Sequence, residues 1–282
     1  MRPSLVVLND VFSFETRLLL EAADSVGVSC RTVEVSSGLW FDQLDPALPC
    51  WNLISSPVAR AAVSSSLRGR GLKPLNLALA EGSAVDVAST LHDLSLEGLT
   101  SEVFLLFREP QVKELIAQGR LRYPFWIRGS RRGRGDIRTL VRSEAALEAV
   151  LEHREHLVDE PFVVQVHPEA DAMARLTIIG SRRFWSQGAI SPSGRHALAP
   201  CDETEELSDI AARLCRYLRD RFGTPLWAQF DLLISRGGRG FWVFDLSDLP
   251  ELMPLKDRRG ELVEALASVV EEVMADGGGQ TL

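Results

Sequence analysis

Residues 123–135 read YPFWIRGSRRGRG, an aromatic and apolar run that stops at Arg128 and breaks into alternating glycine and arginine. The run has the composition of a buried strand, and the glycines allow close backbone approach to a ligand with no Cβ in the way. Guanidinium groups pair as planar forks with phosphate or carboxylate oxygens. The stretch therefore predicts a strand that delivers a loop onto an anion: a nucleic-acid backbone, the phosphates of a nucleotide, or an acidic substrate.

The surrounding charge narrows that choice. Gly119 to Arg142 holds eight arginines (120, 122, 128, 131, 132, 134, 138 and 142) against one acid, Asp136, while the 282-residue chain carries a formal net charge of −8. A protein that coats nucleic acid is basic overall, because its affinity grows with the phosphates it neutralises. A confined anion site is expected instead, and nucleic acid ranks last among the partners. With 45% hydrophobic residues the chain can bury one large core or several smaller ones. No stretch approaches membrane-spanning length and the first apolar run is too short for a secretory signal, so a cytoplasmic location without membrane contact is expected. Cys30, Cys50, Cys201 and Cys215 are scattered without C-x-x-C spacing, which predicts buried free thiols rather than zinc.

Strands alternate with helical patterns at the start of the chain. The strand Leu5–Leu8 is followed by a helix with Leu18, Leu19, Ala22 and Val26 on one face, then the strands CRTVEV and WNLIS, a helix from about Val58 to Leu67, and a short strand near KPLNLA. This predicts a doubly wound parallel α/β domain over 1–85. Residues 86–165 mix helices with the strands VFLLF, YPFWIR and DIRTLV, as expected of a small α+β subdomain built from two-stranded hairpins. Residues 166–282 predict an antiparallel-sheet domain, with a long amphipathic helix over ETEELSDIAARLCRYLRDRF and a late hairpin, PLWAQFDLLIS and GFWVFDLSD, joined by RGGRG. The tryptophans at 126, 185, 227 and 242 fall in strand patterns and are expected in the core.

That hairpin carries acids. Asp231 lies on one strand and Asp245 on the other, with Ser247, Asp248 and Glu251 just beyond. Hard cations such as Mg2+ take oxygen ligands of this kind. The plainer alternative is that each aspartate caps a turn or pairs with an arginine.

The order of these units, with a glycine-rich loop after a central strand and a late hairpin bearing acids, resembles the ATP-grasp superfamily, and within it the ligases related to LysX and RimK that join amino acids to a carboxylate. The resemblance implies ATP and Mg2+ as cofactors. It implies that Arg128 stands where the family places a phosphate-binding lysine, that Gly129, Ser130 and Gly133 cover the phosphates, and that Gln165, Val166 and His167 form the hinge that receives adenine, with Glu169 for the ribose. Arg175 then faces the transferred phosphoryl group. Asp231, Asp245 and Ser247 take the metal positions, with Asp248 as a substitute. Arg131, Arg132 and Arg134 either hold an acidic substrate or form a solvated face. Four departures stand against this pattern: Val87 where a lysine commonly follows the aspartate, Met173 in place of an acid, aspartate for glutamate at 245 and serine for asparagine at 247.

Two functions follow from the resemblance. One is an ATP-dependent carboxylate–amine ligase acting through an acyl phosphate, with a small-molecule amino acid, acidic peptide or carrier protein as partner, in amino-acid or peptide natural-product biosynthesis. The other is a degenerate ATP-grasp protein that binds a nucleotide, a peptide or a partner without turnover. Family members often form homodimers or homotetramers, and the same is expected here.

Overall fold

The computed structural model describes residues 4–38, 40–130, 138–154, 161–190, 198–235 and 240–275. In the first sheet β1 (Ser4–Asn9), β2 (Ser29–Glu34), β3 (Pro49–Asn52) and β4 (Lys73–Pro74) run parallel in the order β2-β1-β3-β4. Leu5 and Val7 of β1 are buried on one face and Val6 and Leu8 on the other, the pattern of a strand covered on both sides. Helix α1 (Phe14–Ser25) covers the first face, and α2 (Pro57–Gly69) reaches the second through Leu67. Their starts are written locally: Ser13 Oγ accepts from Thr16 N, and Ser56 Oγ accepts from Ala59 N just before Pro57. The sheet is doubly wound, as expected.

The short strand expected near KPLNLA is β4, which ends at Pro74. Asn76 takes a left-handed conformation (φ 60°, ψ 25°) and is buried, and its side chain is committed elsewhere. Its Nδ2 donates to Trp227 O (3.0 Å) and Asp248 O (3.3 Å), and its Oδ1 accepts from Leu226 N (3.1 Å). The chain then turns into α3 (Leu77–Val85) instead of continuing as a strand.

Helix α4 (Val87–Leu96) precedes the second sheet, which is formed by β5 (Val103–Leu106), β6 (Phe125–Gly129), β7 (Thr139–Val141) and β8 (Phe162–Val166), with α5 (Glu109–Ala117) and α6 (Glu144–Arg154) between them. The expected pairing of YPFWIR with DIRTLV is present as the antiparallel pair β6–β7, while β8, with four consecutive buried residues, inserts between β5 and β6 and makes one antiparallel sheet, β5-β8-β6-β7.

The third sheet is antiparallel in the order β11-β10-β9-β12-β13, from β9 (Ala172–Ile179), β10 (Arg182–Ala189), β11 (Ala199–Cys201), β12 (Trp227–Ile234) and β13 (Phe241–Ser247). Ala174, Leu176 and Ile178 of β9 form one core with α4 and with Leu207, Ile210, Leu214 and Leu218 of α7 (Glu205–Phe222). The alternate residues Met173, Arg175, Thr177 and Ile179 occupy the other face. There α8 (Arg259–Ala275) packs on α1, joining Ile179, Phe184 and Trp227 of this sheet to Leu5, Val7 and Trp51 of the first in a single core. No helix among the described residues is long and apolar enough to cross a membrane.

Candidate functional site

Strand period and register build the site. Asp231 on β12 lies directly opposite Arg175 on β9 and Asp245 on β13, so the three side chains share one rung across the sheet. Gln229, two residues before Asp231, therefore shares its face. The β12–β13 register shifts between Asp231 and Leu232, a local irregularity of the kind that re-aims side chains.

The charges on this rung are paired. Arg175 donates from Nε to Asp231 Oδ1 at 2.8 Å and from Nη1 to Glu251 Oε2 at 2.7 Å. Burial opposes the charge on Arg175, but the two carboxylates outweigh it and its pKa is raised. Gln229 ties the arrangement together: its Nε2 donates to Asp231 Oδ1 and its Oε1 accepts from Glu251 N. Asp245 takes Arg138 Nη2 on Oδ2 at 2.7 Å and Arg128 Nη2 on Oδ1 at 3.3 Å. Arg128 is 0% exposed and also donates to Phe244 O at 2.8 Å, so β6 of the second sheet is bolted to β13 of the third.

A cavity of about 300 Å³ opens between these two sheets, lined by Trp126 and Arg138 on one side and Met173, Arg175, Asp231, Phe244 and Glu251 on the other. Trp126 lines this cavity and is buried in a core cluster with Met173, Leu233 and Phe244; Trp185 and Trp227 are core residues too, as expected. The Trp126 ring lies 4.7 Å from that of Phe244, and its Nε1 donates to His167 Nδ1 at 3.1 Å. Burial, and then the charge of Arg142, lower the pKa of His167. That keeps Nδ1 free to accept.

The remaining candidates fall in several places. Asp248 is turned from the cavity into a buried pair with Arg60 of α2, Nε to Oδ2 at 2.5 Å and Nη2 to Oδ1 at 2.7 Å. Ser247 Oγ donates to Leu249 O and accepts from Leu249 N, closing a turn. Gln165 is buried; its Nε2 donates to Thr100 Oγ1 and Val243 O, and its Oε1 meets no donor among the described residues. Val166 N donates to Glu102 O, and Val166 O accepts from Ser101 Oγ. Glu169 is exposed on the segment between β8 and β9. Gly129 ends β6 and Ser130 O accepts from Ala88 N. Arg131, Arg132, Gly133 and Arg134 lie outside the described residues.

Among the described residues no group of three or more His, Cys, Asp or Glu side chains is placed to hold a metal. The facing carboxylates of Asp231 and Asp245 suit a hard divalent cation by donor type.

No family model and no curated protein matches the sequence. Solved structures do match. A RimK-domain ATP-grasp protein from Sphaerobacter thermophilus DSM 20745 superposes with a TM-score of 0.75 at 22% identity, covering 94% of this chain and 98% of that one. D-cycloserine synthetase DcsG gives 0.73 at 16% identity over 94% and 99%. D-alanine–D-alanine ligase from Bacillus anthracis, complexed with ATP, gives 0.69 at 14% over 99% of each chain. What is shared at these identities is the ATP-grasp fold.

Proposed function

We propose that this chain, which has the ATP-grasp fold, is an ATP-dependent carboxylate–amine ligase acting through an acyl phosphate. The observation that carries this reading is the cavity between the second and third sheets, where Arg138 and Arg175 stand beside Asp231 and Glu251 against an aromatic wall. Transfer of a phosphoryl group to a carboxylate needs charge neutralisation and exclusion of water more than it needs a nucleophilic side chain.

The residues present divide that work. Unliganded, the guanidinium groups and carboxylates satisfy one another. When phosphates enter, Arg175 and Arg138 exchange carboxylate for phosphate oxygens, and Asp231 and Asp245, the latter still held by Arg128, would hold Mg2+. Mg2+ held there would supply neutralisation of the charge on the transferring group. Arg128, buried and bonded to Phe244 O, keeps the two sheets in register rather than following the phosphates. Trp126, Met173 and Phe244 keep water from the acyl phosphate, and Glu251, with a side chain 63% exposed at the cavity mouth, is placed to take a proton from the attacking amine. Arg131, Arg132 and Arg134 are proposed to receive the acidic partner, an amino acid, peptide or carrier protein.

A second reading is a binding module without turnover. It is favoured by one specific observation: Asp231, Asp245 and Asp248 each already carry an arginine. Calorimetric titration with ATP, with and without Mg2+, followed by ADP release across a panel of acids and amines, separates the two. Magnesium-dependent binding with acid-dependent ADP release is expected. Binding that ignores Mg2+ and yields no ADP establishes a nucleotide-binding module, and no binding at millimolar nucleotide overturns the ligase and leaves a module for a peptide or protein partner.

A further inference from the structure

Among the described residues, the second sheet ends at β5, which pairs with β8 alone. Natural edge strands carry charges, proline or bulges that block further pairing. The edge strand β2 follows that rule with exposed Arg31 and Glu34. By contrast, residues 103–107 read VFLLF, with Leu105 46% and Phe107 63% exposed.

The backbone of β5 is oriented for a new partner. Val166 N donates to Glu102 O at 3.0 Å, and the antiparallel register continues with Val103 opposite Gln165 and Phe104 opposite Val164. In such a ladder, residues that turn both polar groups to their neighbour alternate with residues that turn both away. Glu102, Phe104 and Leu106 therefore face β8. Val103 and Leu105 present N–H and C=O to the free edge. The Phe107 N–H is taken by Gln111 Oε1 at 2.8 Å, which limits the open edge at that end.

We propose that β5 pairs antiparallel with the same strand of a second copy of this chain, about a two-fold axis through Leu105, so that the two central sheets become continuous. This register sets Leu105 against Leu105 of the partner subunit and Val103 against Phe107 of the partner subunit, covering the exposed apolar side chains. It also sets Glu102 against Arg108 of the partner subunit, opposite charges at a cross-strand position. Arg108 is exposed and makes no ion pair among the described residues, and Glu102 is held only by Arg120 at 3.2 Å in a half-exposed contact, a weak tie that leaves it able to turn. The other edge of the sheet, β7, and the cavity between β6 and β13 stay open in this arrangement.

Sedimentation analysis of the full chain at tens of micromolar is expected to give twice the chain mass. Leu105→Lys is expected to give a folded monomer by the same measurement, with far-UV circular dichroism unchanged. Glu102→Arg and Arg108→Glu should each raise the dissociation constant about tenfold or more through like-charge contacts, and the double exchange should restore it. A wild-type chain of single mass overturns the proposal. So does a dimer that withstands Leu105→Lys, or charge exchanges that do not compensate.

Discussion

Arg175 pairs with the carboxylates of Asp231 and Glu251, and removing it tests both packing and site. Arg175→Ala is expected to cost about 3 kcal/mol in urea unfolding, because Asp231 loses its cation while still buried, and to weaken nucleotide binding about tenfold in calorimetry, the range of one lost charged contact. Unchanged affinity would remove it from the site. Arg60→Met probes the opposite case: the pair with Asp248 is almost fully buried, so a loss of about 3–5 kcal/mol is expected, with the nucleotide affinity of the folded protein unaltered. A lost Mg2+ dependence would return Asp248 to the metal site. His167 gives a pH signature. Its pKa is lowered by folding, so the unfolded chain binds the extra proton first, and stability should fall as pH drops through about 6.5 and below. Thermal unfolding of His167→Gln between pH 5 and 8 should lack that slope. Asp231 and Asp245 were legible in the sequence because RGGRG reads as a turn that pairs their two strands, and the two lie opposite each other. Their partners were not: Arg138 is one of eight arginines in a short span, and Arg60 reaches Asp248 across 188 positions. Gln229 was recoverable from its two-residue spacing to Asp231.

At the scale of elements, helix ends were legible where a capping serine or threonine stands at the boundary, as at Ser13, Ser56 and Thr204. The short strand near KPLNLA is present as β4 but stops at Pro74, because Asn76 answers to partners more than 150 residues away in sequence, which local propensity cannot register. In the central unit the β6–β7 pair was legible, but the place of β8 was not, for a related reason. Pairing of β8 with β5 and β6 is decided by burial of both its faces, and composition alone does not reveal the neighbour. Helix α3 carries its own test. Gly82 lies so close to the ring of Phe222 that an added Cβ would overlap it, so Gly82→Ala is expected to destabilise by about 1–3 kcal/mol despite its better helix propensity. Phe222→Leu in the same chain should recover part of the loss. A gain in melting temperature from Gly82→Ala alone would show that the ring yields freely.

Across the whole molecule, α8 belongs to the first and third sheets at once. Leu266, 0% exposed in their shared core, should cost about 2–5 kcal/mol when cut to alanine, lowering one calorimetric transition rather than splitting it into two. Separate transitions would mean that the sheets unfold independently. The shared core also bears on how the chain is made. Synthesis proceeds from β1 to α8, and at about 5–20 residues per second the ribosome needs roughly 13–50 s between them. During that interval Leu5, Val7, Leu18 and Leu19 lack the cover that α8 gives them, so the shared core closes only after α8 has been made.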